Sequence, residues 1–199
     1  MKKVILSLAI LAGVTSAAQA QSTRFGVKGG IGLASVTGGD TPSGVSKKNL
    51  VTAQAGLMAD FGFSDLISFH PELLYSQKGV RYEFGSDYAQ ARLSYLDLPL
   101  LLRVNADGLF FEAGPQVGFL IGRKDEFKSG SLTATSTKTD GTRKVDVGYI
   151  AGVGYQLSSG LEFGVRYNGG ISDLSDPSGS TKERNSVFQF QVGYLFGGK

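Results

Sequence analysis

The chain has 199 residues, one histidine, 29 glycines, no cysteine and a formal charge of +3. The lack of cysteine excludes a disulfide frame and a thiolate metal site. Two of the excess positive charges, Lys2 and Lys3, fall in a leader, so the remainder is close to neutral (3 − 2 = +1) and gives no support for nucleic-acid binding.

The leader comes first. Lys2 and Lys3 precede the apolar run Val4–Val14, and Ala18-Gln19-Ala20 supplies a small-residue cleavage site. That order predicts export with cleavage after Ala20: residues 1–20 as signal peptide and 21–199 as one mature domain. No cysteine follows the cleavage site, so a lipid anchor there is not expected. No later segment approaches the ~20 unbroken apolar residues of a membrane helix.

Eight period-two segments follow. Arg24–Val36 alternates Phe25, Val27, Ile31 and Leu33 with Lys28 and glycines, and a polar loop through Lys47 comes after it. Leu50–Phe61 sets Val51, Ala53, Ala55, Leu57, Ala59 and Phe61 against Thr52, Gln54 and Asp60; Gly62–Asp65 is a tight turn. Leu66–Gln77 turns Ile67, Phe69, Leu73 and Tyr75 one way and His70, Glu72 and Ser76 the other, and a longer loop is expected through Gly85 and Asp87. Leu93–Val104 carries Leu96, Leu98, Leu100, Leu102 and Val104 on one face, with Tyr95, Asp97, Pro99, Leu101 and Arg103 on the other. The turn signal Asn105–Gly108 leads into Leu109–Gly122, and Arg123–Arg143 then reads as the longest polar loop. Val145–Leu157, Leu161–Asn168 and Ser186–Phe196 repeat the alternation, separated by Ser158–Gly160 and by the polar tract Asp173–Asn185.

Strands this long, apolar on one face and charged or glycine-lined on the other, fit a sheet whose oily side meets lipid and whose inside is polar. Connections after the second, fourth and sixth strands are short, and the others are long. The pattern predicts an all-β fold: an eight-stranded antiparallel up-and-down transmembrane β-barrel in the outer membrane, with short periplasmic turns and long outer loops. Phe25, Phe61, Phe111, Tyr155, Phe163 and Phe196 would form a periplasmic aromatic belt. Tyr75, Phe119, Tyr149, Tyr167 and Phe188 would form an outer one.

YLDLPLLLRV (Tyr95–Val104), FHPELLYSQKG (Phe69–Gly79), FGVKGGIGLA (Phe25–Ala34) and FFEAGPQVGFLIG (Phe110–Gly122) resemble the PorT-like outer-membrane β-barrel family, over almost all of the mature chain. The resemblance implies a small barrel of the OmpA and OmpX type and a link, in one family member, to protein secretion. It implies no catalytic residue. The end of the chain, with Gln191, Gly193, Tyr194 and Phe196, is similar to the signal read by the barrel-assembly machinery, although Gly-Gly-Lys follows the aromatic.

Inward positions collect charge. Lys28, Arg103, Glu112 and Glu162 are expected to pair in an ionic plug near the periplasmic end, with Arg103 roughly opposite Phe110 and Glu112 its diagonal neighbour. Glu72, Asp97 and Arg166 would form a second cluster midway. Side chains fill an eight-stranded barrel, so no continuous pore is expected. Glu72 and Asp97 could oppose each other as an acid/base pair, but Arg166 or His70 would neutralise them. His70, the lone histidine, faces inward, away from any lipid-side cleft. GVKGGIG (Gly26–Gly32) is followed by no helix, so it is no phosphate loop. No cofactor or metal is implied.

These residues point to a non-enzymatic outer-membrane barrel with a structural, surface-interaction or secretion-accessory role. The expected partners are outer-membrane lipids, lipopolysaccharide beside the basic Arg123–Arg143 tract, and the assembly machinery during insertion, with other envelope or secretion proteins a further option. A small or gated solute channel is the alternative. A lipid-modifying enzyme using Ser68 and His70 and a soluble lipocalin-type carrier are weaker readings, the latter lacking the usual tryptophan and carrying an outer face too apolar for water.

Overall fold

The computed structural model describes residues 23–39, 42–174 and 182–197. The expected signal peptide lies outside them.

Ten strands run β1 (Thr23–Gly38), β2 (Ser46–Lys48), β3 (Leu50–Gly62), β4 (Ile67–Phe84), β5 (Asp87–Ala106), β6 (Leu109–Ser129), β7 (Leu132–Ser136), β8 (Val145–Gln156), β9 (Leu161–Gly170) and β10 (Glu183–Leu195). Eight of them form an antiparallel ring, β1-β3-β4-β5-β6-β8-β9-β10, which β1 and β10 close from Gly26↔Leu195 to Gly38↔Glu183. Closure removes the two exposed edges an open sheet would carry. The alternation sorts the side chains as expected. On β5, Leu96, Leu98, Leu100, Leu102 and Val104 point out, while Tyr95, Asp97, Leu101 and Arg103 are buried inside.

Two short strands lie in segments expected to be loops. β2 pairs with the far end of β4, and β7 pairs with the far end of β6. The larger departure is β4–β5. The expected loop after Gln77 is a continued hairpin, paired from Gly79↔Arg92 to Phe84↔Asp87 and closed by a two-residue turn with Gly85 at φ +63°. β6 likewise runs to Ser129, seven residues beyond the expected Gly122 (129 − 122). These extensions carry polar residues on both faces, as a strand in water does. A search for one oily face therefore stops at their base.

The β5–β6 turn is tighter than expected. Asp107 (φ +48°) and Gly108 (φ +88°) alone form it, between Ala106 and Leu109, as in a type I′ hairpin. Arg103 is consequently opposite Glu112, not Phe110. Glu72 and Asp97 do not face each other either, because Asp97 is opposite Leu74.

The aromatic side chains gather into two bands. Near the end from which the extensions project, Tyr149, Tyr167 and Phe188 form a chain with centroids 6.1 and 5.4 Å apart. Near the short-turn end lie Tyr155 with Phe163, Tyr194 with Phe196 and Phe61 with Phe69.

Candidate functional site

The lumen holds a layered ionic network. Nearest the short turns, Arg24 donates to Asp60 at 2.6 Å. Above it, the Arg103 guanidinium donates to Glu162 at 2.7 Å and to Glu112 at 3.0 Å, with its carbon 3.9 Å from the centre of the Phe110 ring. Lys28 donates to Glu72 at 2.5 Å and lies 3.5 Å from Glu162. Arg166 donates to Glu72 at 2.8 Å, to Gln189 at 2.9 Å and to Gln54 at 3.1 Å. Four cations (Arg24, Lys28, Arg103, Arg166) thus meet four carboxylates (Asp60, Glu72, Glu112, Glu162), all nearly inaccessible to water. A buried charge is tolerated when it is paired and its remaining hydrogen-bonding capacity is used, and here every carboxylate has a cation.

His70 sits inside this network. Arg103, which can only donate, approaches its Nε2 at 3.1 Å, so the ring proton is on Nδ1 and faces Asp60 at 3.4 Å. Ligand atoms of His70, Glu72 and Glu112 converge within 4.8 Å, a trio that could in principle hold a metal ion. Their lone pairs are already taken: Lys28 and Arg166 on Glu72, Arg103 and Gln191 on Glu112, Arg103 on His70. A divalent cation would have to enter among three positive side chains. The residues therefore do not fit a metal.

A neutral layer follows, where Asn168, opposite buried Ile150, donates to Gln116 at 2.7 Å. Beyond it lies a second cluster. Lys78 donates to Asp146 at 2.9 Å and lies 3.2 Å from Asp97, which also accepts from Ser76. Asp146 further accepts from Ser172 and Asn185. Asp97 therefore belongs with Lys78 and Asp146, not with Glu72 and Arg166 as expected. Lys78 was missed because it falls one residue past the apparent end of its strand. Asp60 was visible as an inward alternate, and Arg24 and Asp146 share the parity of inward residues on their strands, but only the assembled ring shows what they reach.

Wall glycines make room for these side chains. A Cβ on Gly118 would meet the Asp97 carboxylate, one on Gly152 would meet Arg166, and one on Gly154 would meet the Phe110 ring. The glycine placement that weakens a strand is what lets a narrow barrel hold long ions.

Outside the ring, the extended ends of β4, β5 and β6 form a sheet bordered by β2 and β7. Asp87 at its tip accepts from the Gly130 N–H (3.0 Å) and the Ser129 hydroxyl (2.9 Å), and these bonds hold its carboxyl below the usual aspartate range. Burial pushes the Tyr82 phenol up, and its hydrogen bond to Glu183 adds to the rise. The hydrogen bond that Tyr88 donates to Glu126 raises its phenol as well.

A closed eight-stranded ring, oily outside and ionic inside, defines a β-barrel of the outer-membrane kind. The family model for the outer membrane protein beta-barrel domain matches residues 18–176, and the chain belongs to that family. Membership implies the outer membrane as its location, and the oily exterior is the lipid-facing surface. Among solved structures, the attachment invasion locus protein Ail of Yersinia pestis superposes with a TM-score of 0.51 at 15% identity, covering 88% of this chain and 99% of Ail. Neisserial surface protein A gives 0.44 at 12% identity (88% and 99% covered). OprG of Pseudomonas aeruginosa gives 0.40 at 15% (88% and 97%). No curated protein matches the sequence. At such low identity, the likeness to Ail shows the fold alone.

Proposed function

We propose that this chain is a non-enzymatic outer-membrane barrel whose lumen is closed by its own ion pairs and whose projecting strands carry its function as an interaction surface. The observation that carries the reading is the burial of Lys28, Arg103 and Arg166 at 4%, 0% and 2% exposure, across the width of the barrel. Ions so enclosed, each bonded to carboxylates or amides, form packing and leave no lined path for a solute. The short turns and both chain ends face the periplasm, with the signal peptide removed after Ala20, and the β4–β5–β6 extension stands outside the cell. A PorT-like secretion accessory and a surface-attachment protein both fit this architecture.

The absence of catalysis rests on the same geometry. Ser68 and His70, the residues a lipid-modifying site would need, are 1% and 0% exposed and face the lumen rather than the lipid. The test is conductance: purified protein in planar bilayers should stay silent under applied voltage. Steady openings, altered in size by Arg103→Ala or Arg166→Ala, would establish the gated channel instead.

A further inference from the structure

The lipid-side face of the projecting sheet differs from the rest of the exterior. Ile121 bulges where the β5–β6 register shifts between Ser94 and Tyr95, so Gly122 rather than Ile121 pairs with Ser94. A bulge re-aims the side chains that follow it. Arg123 turns inward to Asp125 and Thr142, and Lys124 turns outward directly opposite Arg92. Like charges directly opposed across a strand pair are destabilising. Neither is neutralised closely: Lys124 is 3.9 Å from Glu126, whose carboxylate already accepts from Tyr88, and Arg92 donates only to the Val51 carbonyl and to Gln77. Gly79, opposite Arg92 on β4, leaves the space across which the guanidinium reaches Val51.

Two more cations share this face. Arg81 lies one outward row above Arg92, its guanidinium carbon 3.9 Å from the centre of the Tyr88 ring, and Lys48 on β2 is opposite Arg81. Lys48, Arg81, Arg92 and Lys124 thus form a patch over four adjacent strands. Glu126 lies in the row of Lys48 and Arg81, and Glu83, one row above, pairs with Arg81 at 3.0 Å, which leaves Lys48, Arg92 and Lys124 as the less neutralised cations. Among the described residues no carboxylate pairs with Lys48 or Arg92. The patch starts two outward positions beyond Leu96, the last apolar residue of that β5 face, and just past Tyr75, whose hydroxyl meets Ser94 at 3.1 Å. The end of an apolar band edged by aromatic residues marks the lipid–water boundary, the level of the lipid phosphates. On β10, by contrast, Arg184 is paired with Asp173.

We infer that this outward patch, centred on Arg92 and Lys124, is a binding site for the phosphate groups of an outer-leaflet glycolipid. Arg92 supplies a forked donor held in place by Val51 and Gln77, and Lys48 and Lys124 supply mobile ammonium groups. The acyl chains of the same lipid lie along Leu96, Leu98 and Tyr75 below. From residue order alone, such contact is expected at the Arg123–Arg143 tract. In the fold only Lys124 of that tract reaches this level of the lipid face, and the residues that complete the site come from β2, β4 and β5. The inference rests on the proposed orientation, with the projecting sheet outside the cell.

The test uses the full mature protein in detergent micelles, titrated with bisphosphorylated lipid A and with the same lipid after enzymatic removal of its phosphates. The wild type should prefer the phosphorylated form. The double variant Lys48→Ala/Lys124→Ala, which loses no internal hydrogen bond, should bind it about thirtyfold more weakly, from the attraction each surface cation adds. Lys138→Ala, on the loop away from the patch, should change nothing. Heat-modifiable gel mobility verifies that each variant is a folded barrel. Equal affinity of wild type and double variant, or no preference for phosphate, overturns the site while leaving the closed barrel intact. Surface proteolysis that fails to cut the 130–141 segment in intact cells overturns the orientation instead.

Discussion

The lower lumen and the projecting sheet hold similar residues under opposite rules. Around Arg103, every charge is enclosed and matched, and the ring of strands fixes each partner within 3.5 Å or less. On the sheet outside, Arg81–Glu83 and Arg123–Asp125 are half-exposed neighbours on the same strand, and such pairs are worth little because water screens them. The difference teaches that charge in this protein is structural where water is excluded and available for recognition where it is not.

The largest effect should come from breaking the enclosed side. Arg103→Met leaves Glu112 and Glu162 buried without their main cation and should cost about 3–5 kcal/mol, read from urea unfolding of the barrel in micelles. Adding Glu112→Gln and Glu162→Gln should recover most of it. A single-variant loss below about 1 kcal/mol would mean that water reaches the network, and the contrast would fail.

Next is the lipid face against the solvent face. Leu98→Arg, near the middle of the oily band on β5, should destabilise by about 2–4 kcal/mol. Leu132→Arg on β7, where the side chain is 77% exposed, should fall within about 0.5 kcal/mol of the wild type. Equal costs at the two positions would erase the boundary between them.

The smallest effect is local. Asp87 has its carboxyl held down by Gly130 and Ser129, so its tether is present above the ordinary aspartate value near ~4 and is lost as pH falls through its lower folded value. Protection of the Gly130 amide, its exchange rate set against the intrinsic rate at the same pH, should fall across that acid window, while amides of β8 and β9 keep their protection. Asp87→Asn should remove the pH dependence. Unchanged protection at Gly130 would mean that the tip is held by its backbone alone.

Much of the fold could be read from residue order because lipid imposes a simple pattern. Leu96, Leu98, Leu100 and Leu102 on one face with Asp97 and Arg103 on the other admit few structures besides a barrel wall. The extensions were illegible for the converse reason: Arg81–Phe84 and Tyr88–Gln90 stand in water on both faces, and a strand there needs no oily alternation. The seven charged residues expected inside, Lys28, Glu72, Asp97, Arg103, Glu112, Glu162 and Arg166, are all buried in the lumen. Their partners followed less well, since a turn two residues shorter than expected, Asp107–Gly108 alone, moves the residue opposite Arg103 from Phe110 to Glu112.

Sequence alone determined the number of ring strands, which way the side chains of the lipid-facing segments point and most of the ions inside, because period two and the avoidance of charge in lipid act on each segment separately. Only the tertiary structure decided that Lys78 joins Asp97 to Asp146, that His70 lies against Arg103, and that Arg92 opposes Lys124 beside a bulge. Those pairings depend on register, strand tilt and closure, which set the relative height of residues far apart in the chain and leave no mark within any one strand.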